Sequence, residues 1–226
     1  MTDRPIIFSA PMILALLSER KSMTRRLAWA FGRVPKALLD AAAAEGKIGV
    51  VRPRVPSLWQ SVKPGDRLWV RESLTQRKGN FLGIPQNVVE AAYAADDEDV
   101  VDEREFNLLP WWKGKGGLPS IYMPRYVSRL TLVVTATKIE RLQKISYVDT
   151  LAEGAPAVAT YGGPEPHIIP TDSKGTGCTG KSLRAWFHHD VWNVLHGPGS
   201  WETNPELVAL TFTVHKHNID AMKEAA

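Results

Sequence analysis

The chain has 226 residues, 44% of them hydrophobic and 23% charged, with a formal charge of +4; this is the range of a soluble single domain with a core of its own. No apolar run nears the ~18 residues of a membrane span, and "MTDRPIIFSAPM" lacks the basic-then-apolar order of a secretory leader, so a cytoplasmic protein with no membrane contact is expected. The one cysteine, Cys178, has no partner for a disulfide or a thiolate zinc site, and the adjacent His188 and His189 point apart on a helix, so neither metal nor cofactor is expected.

In chain order, "PIIFS" reads as a short strand and "APMILALLSER" as a helix with Met12 and Leu16 on one face. "VPKALLDAAAAEG", opened by a proline and stopped at Gly46, predicts a second helix. After the turn "KPGD", the stretch "RLWVRESL" alternates as a strand, and "VVEAAYAAD" reads as another. Residues 96–125 show no period and form a long excursion. "SRLTLVVTATKIERL" is the clearest strand, "SYVDTLAEG" a short helix capped by Ser146 and ended at Gly154, and 155–180 a loop. "KSLRAWFHHDVWNVLHG" spaces its apolar residues as a helix, and "ELVALTFTVHKH" is a last strand. Strands separated by helices usually imply a doubly wound sheet. Here no Gly-rich phosphate turn follows the first strand, strands are few, and two connections are long. The expected fold is therefore α+β: a small mixed or antiparallel barrel with flanking helices, one domain over 1–226 with insertions at about 76–118 and 155–181.

Charge is unevenly distributed. Eight acids and one base lie between Glu90 and Glu105, a local −7 that leaves +11 on the rest of the chain. The positive charge concentrates in Arg20, Lys21, Arg25, Arg26, Arg33 and Lys36, then in the run from Lys47 to Lys78. Such a field favours contact with a nucleic acid, although a basic surface is also common in proteins that bind none.

"ERKSMTRR" (19–26) supplies Lys21, Thr24 and Arg26 at the spacing GxKxxTxR, with Glu19 in place of the glycine. With "PGDRLWVRES", "PSIYMPRYVSRLTLVVT", "RLQKISYVDTLAEG" and "LHGPGSWETNPELVALTF" in the same order, the chain resembles the ASCH family of PUA-like small-barrel proteins, in particular its larger phage and prophage members. The resemblance implies two kinds of activity. Some members are amidohydrolases that remove the acetyl group of N4-acetylcytidine with a Lys, a Thr and a Glu, which fall here on Lys21, Thr24 and Glu153. Others bind RNA or modified bases, or act as ribonucleases.

Hydrolysis of an amide needs a nucleophile, a base and a proton for the departing nitrogen. Thr24 supplies a hydroxyl that is protonated at neutral pH. Lys21, three residues earlier and on the same side if the segment is helical, is a base only when neutral: Arg20, Arg25 and Arg26 favour that form, and a carboxylate opposes it. Glu153 is a proton donor or a clamp on the base edge. Glu72 points inward with Leu68 and Val70 and is expected to partner Lys21 or Arg26; Trp69 lies on the opposite strand face and joins the substrate-binding residues if that face also borders the pocket. Arg26 is either a structural ion-pair partner or an anion grip. Trp186 and Trp192 read as core, whereas Trp111, Trp112 and Trp201 are candidates for stacking on a base, and Asn204 for a base-edge contact or a turn before Pro205. The partner is thus a nucleoside, nucleotide or RNA. For a ribonuclease, Lys21 would work with His188, His189 or His196.

Overall fold

The structure, a computed structural model, describes residues 1–46, 52–78, 89–100, 117–155, 157–160, 167–170 and 183–224. It is a mixed α+β fold around a five-stranded sheet. The sheet contains β1 (Asp3–Ile7), β5 (Arg67–Arg71), β9 (Thr131–Arg141), β12 (Glu206–His215) and β2 (Met23–Leu27), in that spatial order. β1 runs parallel to β5, with Ile6 opposite Val70. The other ladders are antiparallel: Leu68 faces Leu132, Val208 faces Ile139, and Leu210 faces Thr24. Helix α1 (Ala10–Leu17) bridges the two edge strands and buries Ile13 and Leu16. Those residues meet Ile6, Leu68, Val70, Leu132, Val208, Leu210 and Phe212 in one apolar cluster, the burial that stabilises the sheet.

Among the described residues no backbone ladder joins β1 to β2, so the sheet is open. A side chain spans the gap: Arg26 Nη2 on β2 donates to the carbonyl of Ile7 at the end of β1, at 2.7 Å.

The predicted "RLWVRESL" strand divides in two. β5 stays in the main sheet, and β6 (Leu74–Lys78) leaves it to pair with β7 (Val89–Tyr93) and β8 (Gly117–Leu118). β5 does not alternate as a half-buried strand should, because both of its faces are covered. Arg67 is buried with its guanidinium on Asp3 at 2.8 and 2.9 Å, and Trp69 is buried beside Leu68 and Val70.

Within the predicted loop 155–180 lies an antiparallel pair, β10 (Ala157–Thr160) with β11 (His167–Pro170), whose short apolar runs the surrounding glycines and prolines obscure. Helix α2 (Lys36–Ala44) forms as expected after Pro35, and Gly46 follows at φ 67°. The predicted helix near residue 190 is interrupted: a π-helical stretch, Phe187–Trp192, separates two single helical turns. Trp186 and Trp192 are buried there, packed with Leu142, Phe187 and Trp201 in a second core. Trp111, Trp112, Cys178 and most of the two expected insertions lie outside the described residues. No described helix is long and apolar enough to cross a membrane.

Candidate active site

The segment that carries the GxKxxTxR spacing is not a helix end. α1 stops at Leu17, Ser18 caps it, and Glu19 turns the chain at φ 60°. Lys21 then forms a single β-bridge with Glu153, and Thr24 sits in β2. Lys21 and Thr24 are thus set by a turn and a strand, not by the helical spacing the sequence suggests. Such a left-handed turn is one that glycine enters most easily. Glu19 accepts that geometry on an exposed corner, where its carboxylate lies 3.0 Å from Lys216. Glu19→Gly relieves the backbone at the expense of that exposed pair and of a freer unfolded chain. The expected change in a urea titration is below about 1 kcal/mol, so the glutamate is tolerated rather than required.

Backbone hydrogen bonds fix the segment on three sides: Lys21 N donates to Ala15 O, Ser22 N to Ala152 O, and Phe212 N to Ser22 O. Helix α3 (Tyr147–Ala152) delivers the acid. Ser146 caps it by accepting from Asp149 N at 3.1 Å, Glu153 ends it, and Gly154 follows at φ 93°. A Cβ on Gly154 would lie 2.9 Å from the Ala15 Cβ and 3.0 Å from the Lys21 Cβ, so glycine is what lets the helix end close onto Lys21. Gly154→Ala combines a left-handed backbone, about 1–2 kcal/mol, with overpacking of about 1–3 kcal/mol. We expect a loss in that combined range by chemical denaturation, together with a weakened Lys21–Glu153 contact.

The structure brings Lys21 and Glu153 together across 132 residues. Lys21 is completely buried, with Nζ 2.7 Å from Glu153 Oε2 and 3.0 Å from the Glu153 carbonyl. Burial holds its ammonium below the ordinary lysine range; Glu153 pulls the other way, and Arg26 and Arg25 add to the lowering. The other Glu153 oxygen accepts from Arg25 Nη1 at 3.0 Å, so the carboxylate is held between two cations. Arg25 also reaches Glu140 and Asp149, each at 2.7 Å, and Lys138 binds Asp149 at 2.7 Å. Asp149, Glu140 and Lys138 were not singled out from the sequence. The signal was available: Asp149 and Glu153 are four apart on one helical face, and Lys138 and Glu140 share a face of β9.

Thr24 is 4% exposed, and its hydroxyl has no hydrogen-bond partner among the described residues. The pleat places Arg26 on the same face of β2. The Arg26 guanidinium lies 5.1 Å from the Phe8 ring centre and 5.5 Å from that of Trp59, and Lys21 Nζ lies 5.7 Å from the same Phe8 ring. Phe8 is therefore the common floor of the two cationic heads, a role hidden in a short strand-like run. Arg26 has no carboxylate partner among the described residues, and burial lowers its pKa despite the nearby Glu153. His196, stacked on Trp192 at 4.0 Å, is held below the ordinary histidine range by burial and by the Arg26 charge.

The remaining candidates are placed elsewhere. Glu72 points inward as expected and is 1% exposed, but its partner is Arg129, at 2.8 and 3.0 Å, rather than Lys21 or Arg26. Arg129 comes from the turn before β9 and also binds Asp96, so this is a separate acidic cluster. Trp69 packs under Arg71, 5.0 Å from its ring. Trp201 is buried in the second core with His188 stacked on it at 4.5 Å. Asn204 shapes a turn at φ 43°, its Oδ1 accepting from Gln143 N at 2.9 Å. Part of the basic sequence run is also spent internally, since Lys21, Arg25 and Arg67 are buried and paired.

Among the described residues no group of three or more His, Cys, Asp or Glu could hold a metal ion. The chain matches no protein-family model, no curated protein and no solved structure. Its resemblance to the ASCH family therefore rests on the motifs themselves.

Proposed function

We propose that the chain is an ASCH-type amidohydrolase, built on a small barrel open between β1 and β2, that removes the acyl group from N4-acylated cytosine nucleosides or nucleotides. The observation that carries this reading is the buried Lys21–Glu153 pair, three residues along the chain from Thr24, whose hydroxyl has no hydrogen-bond partner among the described residues. A lysine with a lowered pKa and a carboxylate 2.7 Å away share a proton readily, and that is what a base must do.

Thr24 Oγ1 attacks the acyl carbonyl carbon and gives its proton to the neutral Lys21 amine. The tetrahedral adduct collapses: the bond to N4 breaks, and the proton passes from Lys21 to the departing nitrogen, with Glu153 holding the lysine in place throughout. This leaves a cytosine nucleoside and an ester on Thr24. Water, deprotonated by Lys21, then hydrolyses the ester to the carboxylic acid and restores the threonine. Since both Glu153 oxygens already accept from cations, its role lies with Lys21 rather than at the base edge.

Purified protein incubated with N4-acetylcytidine should release cytidine and acetate, and Thr24→Ala should abolish release while the fold is retained by circular dichroism. No release from the wild type, or undiminished release from the variant, sinks the reading. A second reading, a non-catalytic reader of RNA or modified bases, is favoured by the ion pair itself, because a lysine held on a carboxylate is also a stable binding element. It predicts RNA binding that weakens steeply with salt and no turnover.

A further inference from the structure

The charges around the candidate site do not balance. Among the described residues, Lys21, Arg25 and Lys138 engage the three carboxylates of this cluster, Glu140, Asp149 and Glu153. Arg26 engages none. Its Nη2 is spent on a neutral carbonyl, Ile7 O. Its Nε is sealed from solvent with no partner, whereas Nη1 is neither sealed nor partnered among the described residues. A guanidinium partly withdrawn from water, with no counter-charge among the described residues, is held at a cost, and the rings of Phe8 and Trp59 pack near it without neutralising it. The ion-pair role open to Arg26 in the sequence is therefore unfilled among the described residues. Arg26 also lies two residues beyond Thr24 on one strand face, roughly 7 Å along β2. An anion on the guanidinium would thus leave the rest of its molecule over the threonine hydroxyl.

We propose that Arg26 is an anion subsite: the ligand of this site carries a phosphate or a carboxylate, which supplies the missing counter-charge and orients the acyl group toward Thr24. This rests on the reading of the site as one that takes acylated cytosines. A guanidinium presents a fork of donors that matches the oxygens of either group. The phosphate would belong to a nucleotide and the carboxylate to a dicarboxylic acyl group, two sources of one chemistry.

The test compares kcat/KM for N4-acetylcytidine, its 5′-monophosphate and N4-succinylcytidine, in the wild type, Arg26→Gln and Arg26→Lys. Calorimetric binding of CMP against cytidine is measured on the same proteins. We expect the wild type to favour one of the anionic substrates over the neutral one by about ten- to hundredfold, the scale of a hydrogen bond to a charged group, and to bind CMP more tightly than cytidine if the phosphate is the source. In Arg26→Gln the ratio of anionic to neutral should fall toward one. Because each variant is its own reference, general damage to the fold does not imitate that result; if the glutamine variant does not fold, Arg26→Lys should show a reduced ratio. Equal treatment of neutral and anionic ligands by the wild type, or a preference that survives in the variants, overturns the subsite. If nothing is hydrolysed, the amidohydrolase reading fails by itself. Tighter binding of CMP that depends on Arg26 then still upholds the subsite, and its absence overturns it.

Discussion

Glu153→Ala is expected to destabilise the fold by about 3–5 kcal/mol, the cost of removing one partner from a buried ion pair. Lys21 would be left fully buried with a backbone carbonyl as its only acceptor, and Arg25 would lose one of its three carboxylates. Urea titration near neutral pH reads this directly. The pH dependence has a definite sign. Lys21 titrates lower in the folded chain than its unfolded value of about 10.4. Between those two values the unfolded chain binds more protons, so stability rises with pH and is lost again as pH falls through the folded value. Without Glu153 the folded value drops further, and the deficit of the variant should shrink as the solution is made alkaline. The double variant Lys21→Met with Glu153→Leu should recover much of the loss, since an apolar pair of similar bulk avoids the stranded charge. A Glu153→Ala protein as stable as the wild type would mean that the pair contributes nothing to the fold.

The second large effect concerns turnover of N4-acetylcytidine. Lys21→Arg should lower kcat by about 10²–10⁴, the usual contribution of a positioned base, because a guanidinium keeps its proton at any working pH. In the wild type, kcat/KM should rise with pH as the amine is freed, with a midpoint below the ordinary lysine value because burial outweighs the attraction of Glu153. The arginine variant should lack that rising limb. A wild-type profile that stays flat across the alkaline range would remove Lys21 from the role of base, whatever the effect of mutation on rate.

How far the sequence reaches can be judged residue by residue. The N-cap at Ser146 and the stop at Gly154 follow from local chemistry, and the helix lies between them. The pairing of Lys21 with Glu153 was legible only through the order of motifs, because no local rule links positions 132 residues apart. Thr24 departs from its local pattern: its spacing from Lys21 fits a helical turn, but β12 captures the segment as an edge strand, and tertiary pairing outweighs local period. Alternation along β5 puts Glu72 inward, where it lies, yet its partner is a turn residue, Arg129, that periodicity does not see. Trp201 beside Gly and Pro resembled an exposed wall, while the second core drew it inside.

The order of strands also governs when the site is assembled. β2 pairs only with β12 in the described sheet, and β12 also stands against β9. The ladder that holds β2 to the described sheet therefore cannot be complete until Thr211 has been synthesised, long after residue 27 has left the ribosome. A chain halted before β12 would carry Lys21 and Thr24 on an unzipped strand, and closing so wide a span makes this the slow part of folding. The chemistry proposed here would thus appear last, as the nascent polypeptide completes its final ladder.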